Sequence, residues 1–246
     1  MRLLAWLLAL LPAAAAAANL NVCLYYDGDE NAAGFRVGER SAVMVRNLLG
    51  HFREVDVFLR PVARYAKADL AACDRAIYMG TYFEGKIPEA FIAEAARYDK
   101  PFLWMGYNIW KLEKRAGRER LGFSYQKIDR QPGEELRSIP DFYNQFSYKG
   151  ATFRKVAFLD ARGKFIGHPE IVLVKNHSAE VLAEATHSAT KAKTPYVLRK
   201  GEFFYIADNP VSVIDERDRY LILADLLFDF LKLAPRSEKR YALVRI

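Results

Sequence analysis

The sequence has few of the residues that bind metal ions or build disulfide frameworks, since it contains two cysteines and four histidines among 246 residues. Two cysteines exclude a disulfide-stabilised mini-protein and every cysteine-rich zinc or iron–sulfur module. No two histidines lie three or four positions apart, so no helix face presents a histidine pair to a metal ion. We therefore expect this chain to bind no metal ion and no cofactor.

Proline and glycine are also sparse, at 10 and 14 residues, while 52% of the residues are hydrophobic. This composition excludes collagen-like repeats, low-complexity scaffolds and a disordered chain. Basic residues exceed acidic residues by only 7, and the excess is scattered along the sequence. The charge therefore identifies no partner, and the composition is typical of an ordinary globular protein.

The first 18 residues have the pattern of a signal peptide. Arg2 precedes an apolar stretch over residues 3–11, and Pro12 leads into six alanines. The small residues before Asn19 suit a signal peptidase, whereas an uncleaved membrane anchor would need a longer apolar stretch. We expect a secreted or periplasmic protein, with no stable membrane span after cleavage and no nucleic-acid partner.

The first half of the mature sequence alternates strands and helices with short connections. An almost continuous apolar run over residues 20–26 is typical of a strand buried on both faces of a parallel sheet. The order β-α-β-β-α-β follows, with a helix over 38–52, strands over 55–59 and 75–79, a helix over 88–98 and a strand over 102–105. In such a sheet the loops after the strands form the natural ligand crevice.

The second half predicts an antiparallel extension of this sheet or an insertion into it. Residues 113–155 are polar and interrupted by glycine and proline, and short strands are expected over 156–159, 171–175, 196–199 and 203–207, with a hairpin turn at Arg162 and Gly163. A helix over 218–233 closes the domain. Its predicted buried side comprises Tyr220, Leu221, Leu223, Ala224, Leu227, Phe228 and Leu231.

The turn after the strand at 102–105 raises the possibility of a nucleophile elbow. Class I glutamine amidotransferases place their catalytic cysteine after a strand in this position, and His168-Pro169-Glu170 matches their base tripeptide. Neither serine nor cysteine occurs in Gly106-Tyr107-Asn108, and a base without a nucleophile performs no covalent catalysis. We predict an α/β fold of the class I glutamine-amidotransferase-like or flavodoxin-like type, with a parallel sheet and no catalytic residues.

Carboxylates and aromatic side chains follow several predicted strands. Asp27, Asp29, Glu30, Glu84 and Asp208 could act as acid and base on a glycoside, although turn and helix-cap roles are the favoured interpretation. Flat aromatic rings beside an amide suit a sugar-binding crevice, and half-buried packing explains them equally well. The candidate ligand-binding residues are Asp27, Tyr82, Tyr107, Asn108, Trp110 and Asp208.

Cys23 lies in the first strand and Cys73 precedes the third. An oxidising compartment would allow a disulfide between them. Two separately packed thiols are the favoured expectation.

Several segments, in chain order, resemble a family of secreted YdaL-type polysaccharide-deacetylase-like proteins. They are residues 76–80, 104–110, 204–210, 218–220, 224–227 and 242–246. The resemblance implies an amidotransferase-like domain over 19–235, placed before a deacetylase barrel whose linker and first strand would occupy 236–246. The residues that catalyse deacetylation in that family have no counterpart in this sequence.

The expected function is therefore that of an exported, non-catalytic accessory domain that binds a polysaccharide or packs against a deacetylase domain. This chain alone is not expected to be an enzyme, whereas deacetylation is implied if the gene continues past Ile246. Two alternatives stay open. One is a self-sufficient glycan hydrolase that uses the loop carboxylates, and the other is a purely structural or interaction domain.

Overall fold

The structure is a computed structural model that describes residues 19–28, 37–129, 141–163, 165–167, 170–212 and 218–233. Seven main helices and strands form the first half of the chain. They confirm the predicted β-α-β-β-α-β order and add a helix after it. The elements are β1 Leu20–Tyr26, α1 Val37–Leu49, β2 Val55–Pro61, β3 Arg75–Gly80, α2 Glu89–Ala95, β4 Phe102–Gly106 and α3 Ile109–Ala116. Residues 1–18, where a signal peptide is predicted, and residues 236–246 lie outside the described residues.

The second half is rich in strands. Its elements are α4 Arg118–Leu121, β5 Phe123–Asp129, β6 Tyr143–Tyr148, β7 Ala151–Arg154, β8 Phe158–Leu159, β9 Phe165–Gly167, β10 Ile171–Asn176, β11 Glu180–His187, β12 Lys193–Lys200, β13 Phe203–Ile206 and α5 Tyr220–Leu231. The antiparallel pairing of β8 with β9 confirms the predicted hairpin around Arg162 and Gly163.

One nine-stranded sheet combines both halves in the order β2-β1-β3-β4-β13-β12-β11-β6-β7. Strands β2, β1, β3, β4 and β13 run parallel to one another, whereas the pairs β13–β12, β12–β11, β11–β6 and β6–β7 are antiparallel. Strands β5 and β10 form a separate antiparallel pair. The antiparallel part is therefore an extension of the same sheet, as one of the two predicted arrangements required.

Three predictions about the second half were wrong in detail. Residues 113–155 contain β5, β6 and β7 rather than only polar loops, and the prediction omitted β11. In β6 the side chains alternate, with Tyr143, Phe146 and Tyr148 buried between polar residues, so this strand lacks a continuous apolar run. The strand predicted over 156–159 begins only at Phe158.

The buried face of α5 also differs from the prediction. Leu223, Leu227 and Leu231 are buried as expected, but Phe228 is 43% exposed and its ring contacts that of Phe52 at 5.2 Å. The remaining buried residues are Ile222, Leu226 and Phe230. Because this helix is apolar on most of its surface, the sequence pattern alone does not determine which face points inward.

Glycine permits the close approach of β3 and β4 at their carboxyl ends. A Cβ atom on Gly80 would lie 2.3 Å from the backbone oxygen of Tyr107, and one on Gly106 would lie 2.4 Å from the oxygen of Gly80. Gly106 also has a φ angle of +73°, which side-chain-bearing residues rarely adopt. The indole of Trp104 donates a hydrogen bond to the Tyr107 oxygen at 2.9 Å, which fixes the turn that follows β4.

Cys23 and Cys73 form a disulfide, which corrects the expectation of two separate thiols. The bond joins β1 to the residues before β3 across a sequence separation of 50. The strand order explains why the two cysteines meet, because β1 and β3 are neighbours. The backbone N–H of Asp74 also donates a hydrogen bond to the backbone oxygen of Asn21 at 2.8 Å. Within the described residues, no helix is long and apolar enough to cross a membrane.

Removing this disulfide should destabilise the fold strongly. For a separation of 50 residues, the loss of chain constraint in the unfolded state predicts a decrease of about 4 kcal/mol in the free energy of unfolding of Cys23→Ala/Cys73→Ala. Guanidinium unfolding of the wild type and the variant, each with and without reductant, measures this difference. Reductant should leave the double variant unchanged, and a decrease below about 1 kcal/mol would contradict the expectation.

Candidate functional site

The carboxyl ends of β1, β3, β4 and β13 lie side by side at one edge of the sheet. The residues that follow these strands include all the candidate ligand-binding positions except Trp110, which lies in the first turn of α3. The structure links Asp27, Tyr82 and Asn108 through hydrogen bonds, while Tyr107 and Trp110 both contact Phe83. Asp208 belongs to a separate buried network.

Asp27 joins the ends of β1 and β3. Its buried carboxylate accepts hydrogen bonds from the Tyr78 hydroxyl at 2.6 Å and from the backbone N–H groups of Thr81 and Tyr82 at 2.8 and 3.0 Å. Burial raises the pKa of Asp27, and these three hydrogen bonds oppose that rise. Asp27 therefore acts as an acceptor for the loop after β3, which agrees with the favoured turn role of the loop carboxylates.

Asn108 occupies the elbow after β4. Its φ of 66° and ψ of 7° place it in the left-handed region immediately before α3, so β4 passes into α3 through a tight strand-to-helix turn, as in a nucleophile elbow. The carboxamide donates to the Tyr78 hydroxyl at 3.2 Å and to the Tyr82 backbone oxygen at 3.0 Å. Its own oxygen is buried, and no described residue forms a hydrogen bond with it. The residue at the tip of the elbow is thus an amide that holds the neighbouring loop.

Aromatic rings form a continuous cluster beside this elbow. The Trp110 ring lies 5.3 Å from that of Phe83 and 5.0 Å from that of Tyr125, measured between centroids. Phe83 also contacts Tyr107 edge-on at 6.4 Å, and the Tyr107 hydroxyl donates a hydrogen bond to the Glu170 carboxylate. Phe83 is 42% exposed, and Tyr107 and Trp110 are half-buried. We call Phe83, Tyr107, Trp110 and Tyr125 the aromatic cluster.

Asp208 is the centre of a buried ionic network behind this edge. One carboxylate oxygen accepts from the Tyr196 hydroxyl at 2.7 Å, and the other accepts from the Arg219 Nε atom at 2.7 Å. The Arg219 Nη1 atom donates to Asp218 at 2.7 Å. Through its Nη2 atom, Arg219 also holds the Asn209 backbone oxygen at 3.0 Å. The network fixes the loop after β13, and neither Asp208 nor Arg219 reaches solvent.

Lys155 lies in the same region with its ammonium group buried. The Nζ atom has no hydrogen-bond partner within the described part of the chain and lies 5.7 and 5.9 Å from the ring centroids of Phe142 and Phe146. Burial lowers the pKa of Lys155 to about 8, although Asp208 and other nearby carboxylates oppose this effect. Keeping Lys155 charged at neutral pH therefore lowers the free energy of unfolding of the protein.

The sequence analysis missed most of this supporting network. Tyr78, Lys155, Glu170 and Arg219 were not among the candidate site residues. Tyr78 and Arg219 entered only within segments of family resemblance, and Glu170 only within the tripeptide His168-Pro169-Glu170. An arginine that immediately precedes an apolar helix was a usable signal, since a buried guanidinium needs a carboxylate partner. Of the other carboxylates considered, Glu84 is exposed, whereas Asp29 and Glu30 lie outside the described residues, as does His168.

Across the ranges that the structure describes, no group of three or more histidine, cysteine, aspartate or glutamate side chains is placed to hold a metal ion. The polar groups at the edge are hydrogen-bonded mainly to each other and to loop backbone. The arrangement offers an exposed aromatic surface on a rigid polar support.

No protein-family model matches the sequence, and no curated protein sequence matches it. Solved structures do share its fold. A ThuA-like protein from Bacteroides uniformis is 12% identical with a TM-score of 0.54, and the match covers 88% of this chain and 94% of that chain. This likeness supports a flavodoxin-like, mixed α/β fold. The finer assignment to class I amidotransferases stays a prediction.

Two glycosidases also contain a similar fold. The α-L-fucosidase isoenzyme 2 from Paenibacillus thiaminolyticus is 12% identical with a TM-score of 0.51, and the match covers 87% of this chain and 32% of that one. A β-galactosidase from the Antarctic haloarchaeon Halorubrum lacusprofundi is 14% identical with a TM-score of 0.53. The match covers 89% of this chain and 32% of that chain. The chain thus spans about a third of each glycosidase, and at these identities the likeness concerns the fold alone.

The buried Lys155 makes a specific pH dependence testable. Its pKa is lowered from 10.5 to about 8 in the folded protein, so the unfolded chain binds more protons between these values and stability rises with pH across this range. We expect the free energy of unfolding of the wild type to rise by about 2 kcal/mol between pH 7 and pH 9.5 from this group. Urea unfolding at several pH values measures the rise.

Lys155→Met should abolish this rise, because methionine carries no titrating proton and suits the aromatic surroundings. Lys175→Met is the matched control, since Lys175 is exposed on β10 and should leave the rise intact. An unchanged pH dependence in Lys155→Met would show that another group is responsible.

Proposed function

We propose that this chain is an exported, non-catalytic glycan-binding domain that accompanies a polysaccharide deacetylase. The observation that carries the proposal is the aromatic cluster at the carboxyl edge of the sheet, where Phe83 is 42% exposed next to half-buried Trp110 and Tyr107. Aromatic rings stack on the apolar faces of sugar rings, and the Glu170 carboxylate beside Tyr107 offers an acceptor for sugar hydroxyls. This edge is also the usual position of ligands in parallel α/β sheets.

The hydrogen bonding of the two buried carboxylates supports binding rather than hydrolysis. Asp27 and Asp208 each accept hydrogen bonds on both carboxylate oxygens from protein groups. A glycosidase needs one carboxyl group positioned to protonate the leaving oxygen and another facing the sugar ring. Two carboxylates already engaged by loop backbone and by Arg219 suit a supporting role better. The amide at the elbow likewise offers no nucleophile.

The disulfide supports the proposal of export. Disulfides form and persist in secreted and periplasmic proteins, and they are rare in the reducing cytosol. The Cys23–Cys73 bond thus agrees with the signal-peptide pattern of the first 18 residues. Both observations favour a location where extracellular or envelope polysaccharides are accessible.

The association with a deacetylase rests on the family resemblance. Three of the segments that carry it, residues 76–80, 104–110 and 204–210, cover β3 and parts of β4, α3 and β13 together with the turns at the carboxyl edge. Two neighbours in fold are named as glycosidases, and a domain like this one makes up about a third of each. A module of this type beside a carbohydrate-active domain is therefore the arrangement we propose.

Glycan retention tests the proposal directly. Affinity electrophoresis through acetylated xylan and through glycol chitin, backed by calorimetry with chitohexaose, measures the affinity of the wild type. We expect Trp110→Ala and Phe83→Ala each to weaken binding by about tenfold, since each removes a ring worth roughly 1 kcal/mol or more of stacking. Phe228→Ala is the matched control, because Phe228 is 43% exposed but lies on α5.

Equal retention of the wild type and the two cluster variants, with all proteins folded, would overturn the glycan-binding proposal. The hydrolase alternative has its own readout. Reducing ends released by the wild type and lost in Asp27→Asn would establish it in place of the binding role. If the wild type binds none of these three glycans, a purely structural or interaction domain is favoured.

A further inference from the structure

A second concave surface lies away from the carboxyl edge, on one face of the β1–β2 pair. It is a groove of about 350 Å³, a volume within the range of small-ligand sites. The parallel register pairs Cys23 with Phe58 and Tyr25 with Arg60, so these four side chains share one face of the sheet. The other residues that line the groove are Asn21, Lys67, Ala68, Asp69 and Ala72.

The floor and the mouth of this groove are held in place by the fold. Cys23 is fixed by its disulfide, and the Tyr25 ring is packed against Tyr65 at 5.5 Å and Phe91 at 5.2 Å. At the mouth, the carboxylate of Asp69 pairs with the Arg60 guanidinium. It also accepts a hydrogen bond at 2.9 Å from the Ala66 backbone N–H. The groove is therefore preorganised, which lowers the entropic cost of binding.

The side chains of the lining residues define what the groove can bind. Phe58 is 57% exposed, more than any other large hydrophobic side chain in the described ranges, although its strand neighbours are packed. Among the same residues, the Lys67 ammonium has no carboxylate within ion-pair distance, while Arg60 is already paired with Asp69. Two cations thus face one carboxylate, and the Asn21 carboxamide adds a neutral donor and acceptor.

We propose that this groove binds an acidic sugar, with the ring of a uronic acid stacked on Phe58 and its carboxylate paired with Lys67. A sugar ring supplies the flat apolar face that an exposed phenylalanine can cover, and its hydroxyls suit Asn21 and Asp69. The carboxylate supplies the missing partner for Lys67. The site is independent of the aromatic cluster and does not require the function proposed above.

Isothermal titration of the full chain with trigalacturonate tests this assignment. Phe58→Ala and Lys67→Gln should each weaken binding by about tenfold, and Lys67→Arg should retain most of the affinity. Lys175→Gln is the matched control, since it removes an exposed lysine on β10 and should leave the affinity within about twofold. Binding should also weaken as salt is raised.

Each of the following results would overturn the proposal. They are equal binding of the neutral methyl-esterified trimer, full affinity in both Phe58→Ala and Lys67→Gln, and tighter binding of a glutamate-rich peptide than of the uronate. Loss of trigalacturonate binding in Trp110→Ala but not in Phe58→Ala would also overturn it, by placing the acidic sugar on the aromatic cluster instead. If the groove variants lose trigalacturonate binding but still bind chitohexaose, the two sites are confirmed as separate.

Discussion

The buried carboxylate of Asp27 is the interaction on which the carboxyl edge of this sheet depends. It connects the end of β1 to the Tyr78 hydroxyl in β3 and to the backbone N–H groups that open the loop after β3. Asn108 extends the same network to the elbow after β4. Burying an ionised carboxylate is costly unless several donors surround it. The loop that carries Phe83 and the turn that precedes Trp110 are thus held by a carboxylate whose removal would leave several buried donors unpaired.

A second buried network serves β13 in the same way. Asp208, Arg219 and Asp218 form ion pairs that are shielded from water, and removing one partner would leave an uncompensated charge. The buried carboxylates and the Asn108 amide at this edge therefore hold loops in place, while Phe83 is exposed and Tyr107 and Trp110 are half-buried. This division is the physical basis for proposing recognition of a sugar rather than its hydrolysis. The solved structures that share the fold include a ThuA-like protein and two glycosidases, and they support the architecture alone.

The sequence was sufficient for the parts of the fold whose burial leaves a simple pattern. Strands β1, β3 and β4 have continuous apolar runs, so their existence and order could be predicted. Strand β6 mixes polar and apolar residues within a polar region, so its existence could not be predicted. Helix α5 is apolar nearly all round, so its buried face could not be predicted either. Partners distant in sequence, such as Tyr78 with Asp27 and with Asn108, depend on strand order and become visible only in three dimensions.

The central claim is that the carboxyl edge binds a glycan and leaves it chemically unchanged, and one nuclear magnetic resonance titration tests both halves of it. Two tryptophans follow residue 18, and the Trp104 indole is buried and bonded to the Tyr107 oxygen, which makes it an internal reference for Trp110. On addition of chitohexaose we predict a shift of the Trp110 indole N–H resonance, little change at Trp104, and constant sugar signals over a day. New reducing-end or free acetate signals, or an unmoved Trp110 resonance at saturating sugar, would contradict the account.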